Sequence, residues 1–181
     1  MNRFSKFVAV AALMMTPAML SAQSSAVGFG VSGGLSVPTG DFGDAVDAGY
    51  SIAGHVFLKP ASMKSLRFRG DVSFDSYAYK GNIDGDARLL GFIGNALLDL
   101  STNGGVKPYV LGGLGAFNSK ASTNVGSVNV SKSNTNVGIQ LGGGLNFQLS
   151  GFSTFLEAKY VNVFTENNST GYIPITFGVR F

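Results

Sequence analysis

Residues 171–181, GYIPITFGVRF, decide how the whole chain is read. Ile173, Ile175, Phe177, Val179 and Phe181 fall on one face of an extended chain, and Pro174, Thr176, Gly178 and Arg180 on the other. Neighbouring side chains of a strand point to opposite faces, so this period of two predicts a strand with one wholly apolar face. Chain ends ordinarily fray in water. An apolar row that continues to the last residue therefore needs something to cover it.

The same alternation returns along the chain. Val27, Phe29, Val31, Leu35 and Val37 alternate with Gly and Ser; Tyr50, Ile52, Val56 and Leu58 alternate with Ser51, Ala53, His55 and Phe57. Leu66, Phe68, Val72 and Phe74 lie opposite Arg67, Arg69, Asp71, Ser73 and Asp75. Leu90, Phe92, Ala96, Leu98 and Leu100 form a fourth row. A fifth segment, KPYVLGGLGAF, is apolar on both sides, so either Tyr109 and Leu111 or Val110 and Leu114 face the apolar medium. Val137, Ile139, Leu141, Leu145, Phe147 and Leu149 make the sixth row, opposite Gly138, Gln140, Gly142, Gly144, Asn146 and Gln148. Leu156, Ala158, Tyr160 and Phe164 make the seventh, opposite Glu157 and Lys159, and the terminal stretch is the eighth.

Composition narrows the class. Of 181 residues only 13% are charged, while 26 are Gly and 15 are Phe. A soluble domain ordinarily carries charge on about a quarter of its residues. With 45% apolar residues and a small net charge the chain is not disordered. It has no cysteine and a single histidine, His55, which excludes disulfide frameworks and the usual zinc constellations. Neither cofactor nor resident metal is expected.

The start, MNRFSKFVAVAALMMTPAMLSAQ, has a basic beginning, a 14-residue apolar run from Phe7 to Leu20 and small residues after it. That is the pattern of a secretory signal peptide. The run is too short for a helix across a bilayer, which takes about 20 residues. Cleavage is expected after Ala22, with Ala26 as the alternative, dividing the chain into a leader, 1–22, and a barrel domain, 23–181. Loss of Arg3 and Lys6 lowers the net charge from +3 to +1, so no nucleic-acid partner is indicated.

The connections differ in length. KPASMKS, TNGGVK and SGFS are short; PTGDFGDAVDAG, KGNIDGD, residues 118–136 and TENNSTG are mostly longer and rich in Gly, Asn, Ser, Thr and Asp. An even number of strands of about 10 residues, with short turns at one end and longer loops at the other, is the plan of an all-β, eight-stranded antiparallel up-and-down transmembrane barrel. Closure removes the unpaired strand edges that lipid cannot solvate. A soluble lipocalin-like barrel would share the period with its faces reversed. The polar faces of the first and sixth segments, made of Gly, Ser, Asn and Gln without charge, fit a crowded lumen better than a watered surface. Tyr50, Tyr160 and Tyr172 are the expected interfacial anchors.

In a ring of eight, the third and seventh strands lie opposite one another, as do the fourth and eighth. Counting up from the short turns puts Arg69 level with Glu157 and Asp71 level with Lys159, while Asp99 meets Arg180 lower down. Ions enclosed by lipid must be paired or hydrated. A lumenal network of Arg67, Arg69, Asp71, Asp75, Glu157 and Lys159, with Asp99 and Arg180 beneath it, is therefore expected to plug a barrel only just wide enough for its own side chains.

These segments carry a resemblance. The leader, VGFGVSGGLSVPTGDF, KPYVLGGLGAF, FLEAKYVNVF and YIPITFGVRF resemble the small outer-membrane β-barrel family that includes opacity-type, OmpX-like and OmpA-like barrels. The resemblance covers residues 23–181 and implies an outer-membrane barrel with both ends in the periplasm. It also implies that Ile175, Phe177, Val179 and Phe181 form the signal read by the barrel-assembly machinery. No peptidoglycan-binding domain is expected to follow.

Function is less constrained. The leading expectation is a non-enzymatic monomer, surrounded by outer-membrane lipid, with a structural or surface-ligand role at its longer loops. A narrow pore is the alternative, because Asp41, Asp44 and Asp47, with Asp84 and Asp86, make an acidic rim that would attract cations. Turn chemistry explains the same residues, and neither DFGDAVD nor DGD matches a calcium loop. A barrel enzyme acting on lipid A is disfavoured: no serine lies two residues from His55, which is expected to face the lumen and pair with a carboxylate. The runs GLGAF and GGGL lack the Lys-Ser/Thr of a phosphate loop.

Overall fold

The computed structural model describes residues 27–63, 65–81, 85–100, 105–125, 128–149, 151–165 and 169–181, with backbone alone at 123–125 and 128–130. The expected leader, both cleavage points and Asp84 lie outside the described residues. Eight strands close into one barrel: β1 (Val27–Thr39), β2 (Gly49–Leu58), β3 (Leu66–Ala78), β4 (Gly85–Asp99), β5 (Val106–Val125), β6 (Val128–Gln148), β7 (Ser153–Phe164) and β8 (Ser169–Arg180). Each pairs antiparallel with the next, and β8 closes on β1 from Gly30↔Arg180 to Thr39↔Gly171. The lower end is the one where β1 begins and β8 finishes, and the upper end lies opposite.

The apolar rows all point outward. Leu35, Ile52, Val72, Phe92, Leu114, Val137, Leu141, Leu156 and Phe177 stand on the outer wall, with Leu114 69% exposed. Charged and polar side chains are buried inside: His55, Arg67, Arg69, Asp71, Asp75, Asn95, Gln140, Glu157 and Lys159. A continuous apolar exterior of this size does not survive in water. Polar inside and apolar outside is the arrangement that hydrocarbon selects. Strand five resolves with Tyr109 and Leu111 inward and Val110 and Leu114 outward.

Room in the lumen comes from small residues opposite large ones. A Cβ added to Gly178 would overlap the Phe155 ring, and one on Gly144 would meet the Tyr109 phenol. The glycines of the polar faces are thus the sockets for aromatic side chains of neighbouring strands. Pro174, which has no N–H to donate, sits where the β7–β8 ladder lapses between Ala158↔Ile175 and Val161↔Tyr172.

Two upper connections differ from the sequence expectation. Residues 118–125 and 128–136 are strand and not loop: β5 and β6 stay in register up to Val125↔Val128, so the pair stands above the wall of β7, which ends at Phe164. The first connection forms a short helix, α1 (Gly40–Ala45), and folds back over the barrel mouth, where Phe42 meets Tyr77 edge-on at 5.0 Å. Val46 follows it inward, pairs with Tyr79 and is 1% exposed.

Candidate functional site in the barrel lumen

The lumen is built in two layers. The lower one is ionic. Arg69 on β3 donates from Nη1 to Glu157 Oε2 at 2.7 Å and from Nη2 to Glu157 Oε1 at 2.9 Å, a two-pronged bridge across the barrel. The fixed fork of a guanidinium matches a carboxylate in this way, whereas an ammonium acts as a point charge. Nη2 also donates to Asp71 Oδ2 at 2.9 Å, and Lys159 Nζ lies 3.3 Å from Glu157 Oε1. The Tyr109 hydroxyl donates to Glu157 Oε2 at 2.7 Å. Asn95 donates to Asp71 Oδ2 at 2.9 Å and accepts from Gln140. Arg69 and Glu157 are both 1% exposed, so two cations and two carboxylates share one dry site in which each charge has a partner.

His55 belongs to the same cluster. Its Nδ1 is 2.8 Å from Asp71 Oδ1 and its Nε2 is 2.9 Å from Ser32 Oγ. This is the connectivity of a serine–histidine–acid relay. The serine comes from β1, next to β2 in the sheet, and so escapes a search for a serine near His55 in sequence. Two features oppose nucleophilic use. Phe155 packs edge-on against His55 at 5.6 Å, and Asp71 is also held by Arg69 and Asn95.

Lower still, Asp99 is held by Arg67, whose Nε donates to its two oxygens at 3.0 and 2.9 Å. The expected partner, Arg180, instead lays its guanidinium 4.9 Å from the Phe57 ring centre, a cation–π contact, and forms no ion pair among the described residues. Arg67 reaches Asp99 because they lie on adjacent strands, diagonally across Arg67↔Leu97.

Asp75 stands above the ionic layer, with Oδ2 3.5 Å from the Tyr172 hydroxyl and Oδ1 without a hydrogen-bond partner among the described residues. From there upward the lumen is aromatic and aliphatic. Tyr77, Leu89, Ile93, Phe117, Val161, Val163 and Tyr172 pack under Phe42 and Val46. Tyr172 is therefore a lumenal residue, 1% exposed and edge-on to Tyr77 at 6.0 Å, and not an interfacial anchor. Tyr50 and Tyr160 do stand on the outer wall.

The acidic rim is dispersed. Asp41 and Asp44 lie on α1 and Asp47 just beyond it, none of them buried, while Asp86 is drawn to Arg88 with Oδ2 2.5 Å from Nε. Among the described residues no three carboxylate or imidazole groups are disposed to hold a metal ion. Of the four residues expected to form an assembly signal, Ile175, Phe177 and Phe181 are exposed on the outer face of β8 and beyond it, while Val179 is not among the exposed apolar residues.

An apolar wall closed around paired charges and rings defines a β-barrel of the outer-membrane type. The chain belongs to the outer membrane protein beta-barrel domain family, which matches residues 8–181. Its fold is similar to that of Neisserial surface protein A, with 20% identity, TM-score 0.65, and coverage of 88% of this chain and 98% of that one. It is also similar to the attachment invasion locus protein of Yersinia pestis, solved with the heparin analogue sucrose octasulfate: 18% identity, TM-score 0.54, 87% and 100% covered. A major outer membrane protein from Thermus thermophilus superposes with TM-score 0.60 at 13% identity, with 87% and 99% covered. No curated protein matches the chain by sequence.

Proposed function

We propose that the protein is a non-enzymatic, monomeric outer-membrane barrel whose lumen is plugged and whose upper end, above all the β5–β6 hairpin, meets partners outside the cell. Residues 1–22 act as the export leader, both ends of the barrel domain lie in the periplasm, and Ile175, Phe177, Val179 and Phe181 are read by the assembly machinery. The observation that carries the reading is the Arg69–Glu157 bridge, which spans the barrel from β3 to β7 and ties down both walls. The aromatic layer under α1 supports it as a second obstruction. With His55 wedged under Phe155, the serine relay has structural work only.

Orientation is tested by labelling amines on intact cells with a membrane-impermeant reagent. Lys80, Lys120 and Lys132 at the upper end should react, and Lys59 and Lys107 at the lower end only after permeabilisation. The reverse pattern would overturn the topology. Exchange of Phe181→Ser should lower the yield of heat-modifiable barrel in outer-membrane extracts, and an unchanged yield would remove Phe181 from the assembly signal.

A further inference from the structure

The outward face of the strands is almost free of charge. Following the alternation through all eight strands, the described outward positions hold three charged side chains: Asp86, Arg88 and Lys120. All three sit together at the upper end of β4 and β5. Arg88 comes two residues above exposed Leu90, and Lys120 two residues above Asn118, where the apolar row of Val110, Leu114 and Ala116 ends. The register puts Arg88 directly opposite Lys120. Like charges directly opposite on one face of a sheet repel and weaken the pair. Asp86 answers one of them, with its Oδ1 accepting from Arg88 Nη2 at 3.2 Å, and leaves the cluster with one excess positive charge. Beside it on the same face, Ser133 donates to Asn118 Oδ1 at 3.1 Å, and Asn118 donates to Thr135 at 2.9 Å.

We infer that Arg88 and Lys120 form a docking site for the phosphate of an anionic lipid headgroup in the leaflet around the upper end of the barrel. An anion between the two cations turns their repulsion into two charge-assisted contacts, and Ser133 lies one strand further along the same row, opposite Lys120. The source is a membrane lipid because the pair borders the apolar wall. Leu90 and Phe92 below Arg88 continue downward as the surface along which acyl chains run. Lys132 offers a built-in comparison. It is the residue beside Ser133, opposite Ala121, and so projects from the other face of the hairpin, away from lipid.

The test uses the full barrel reconstituted in zwitterionic vesicles doped with diphosphorylated lipid A, with the dephosphorylated form as the parallel arm. Lipid retained through detergent exchange is then measured. A basic residue at a charged membrane surface contributes about a factor of five, so Arg88→Gln and Lys120→Gln should each weaken retention by about fivefold and together by about thirtyfold. The effect should shrink as salt rises. Lys132→Gln, with the same change of charge, should alter retention by less than about twofold. Heat-modifiable mobility of each variant confirms folding. Equal retention of the wild type and the double variant, or of the two lipid forms, would overturn the proposal. So would equally tight binding of soluble sucrose octasulfate at the same two residues, which would make the patch a site for soluble polyanions.

Discussion

The two halves of the lumen fill the same narrow space with opposite chemistries. Below, Arg69, Glu157, Asp71 and Lys159 satisfy one another. Above, Tyr77, Tyr172, Phe117 and the aliphatic side chains exclude water by packing, with the Ser36–Tyr77 hydroxyl contact at 2.6 Å among the few polar links. The difference lies in how each half tolerates change. An ionic layer depends on every partner, since removing one charge strands another in a dry site. An apolar layer depends on volume, and its losses are local.

Perturbing the two layers separately tests that contrast. Arg69→Met should have the largest effect, destabilising the barrel by about 4 kcal/mol because Glu157 and Asp71 lose their shared cation. Urea unfolding, followed by the heat-modifiable gel shift, measures it. Adding Glu157→Gln to Arg69→Met should restore part of the loss, and no restoration would mean that Arg69 acts by packing. Phe117→Ala in the upper layer should cost about 3 kcal/mol as a cavity, with no polar substitution able to relieve it. Gly178→Val should cost about 2 kcal/mol by pressing a side chain into the Phe155 ring. Arg67→Gln should come last, at about 1 kcal/mol or less, because Asp99 is partly open to water. If Arg67 equals Arg69, the ionic layer extends to the lower mouth.

Much of this architecture was legible because the hydrocarbon imposes a single rule on every strand. Leu35, Ile52, Phe92, Ile139 and Phe177 announce the outer wall by alternation alone. The Arg69–Glu157 level followed from counting up from the short turns, since strand tilt is shared around a ring. Asp99 pairs with Arg67 and not with Arg180 because neighbouring strands lie closer than opposite ones: Arg67 and Asp99 are diagonal across one ladder. The upper layer left no period to read. Val161, Val163, Leu89 and Ile93 face inward on strands whose outward residues are also apolar, so both faces look alike. The β5–β6 hairpin was hidden by composition, because its Ser, Asn and Thr are loop formers as readily as strand formers. Ser32 became visible as the partner of His55 only once β1 lay beside β2.

The central claim is that the lumen is closed by side chains, and conductance across a planar bilayer tests it most directly. The purified wild-type barrel should show no steps above the membrane's leak, whereas the Arg69→Met, Phe117→Ala double variant, with both layers breached, should flicker open. Steady wild-type openings tens of times above leak would contradict the account and make the protein a pore.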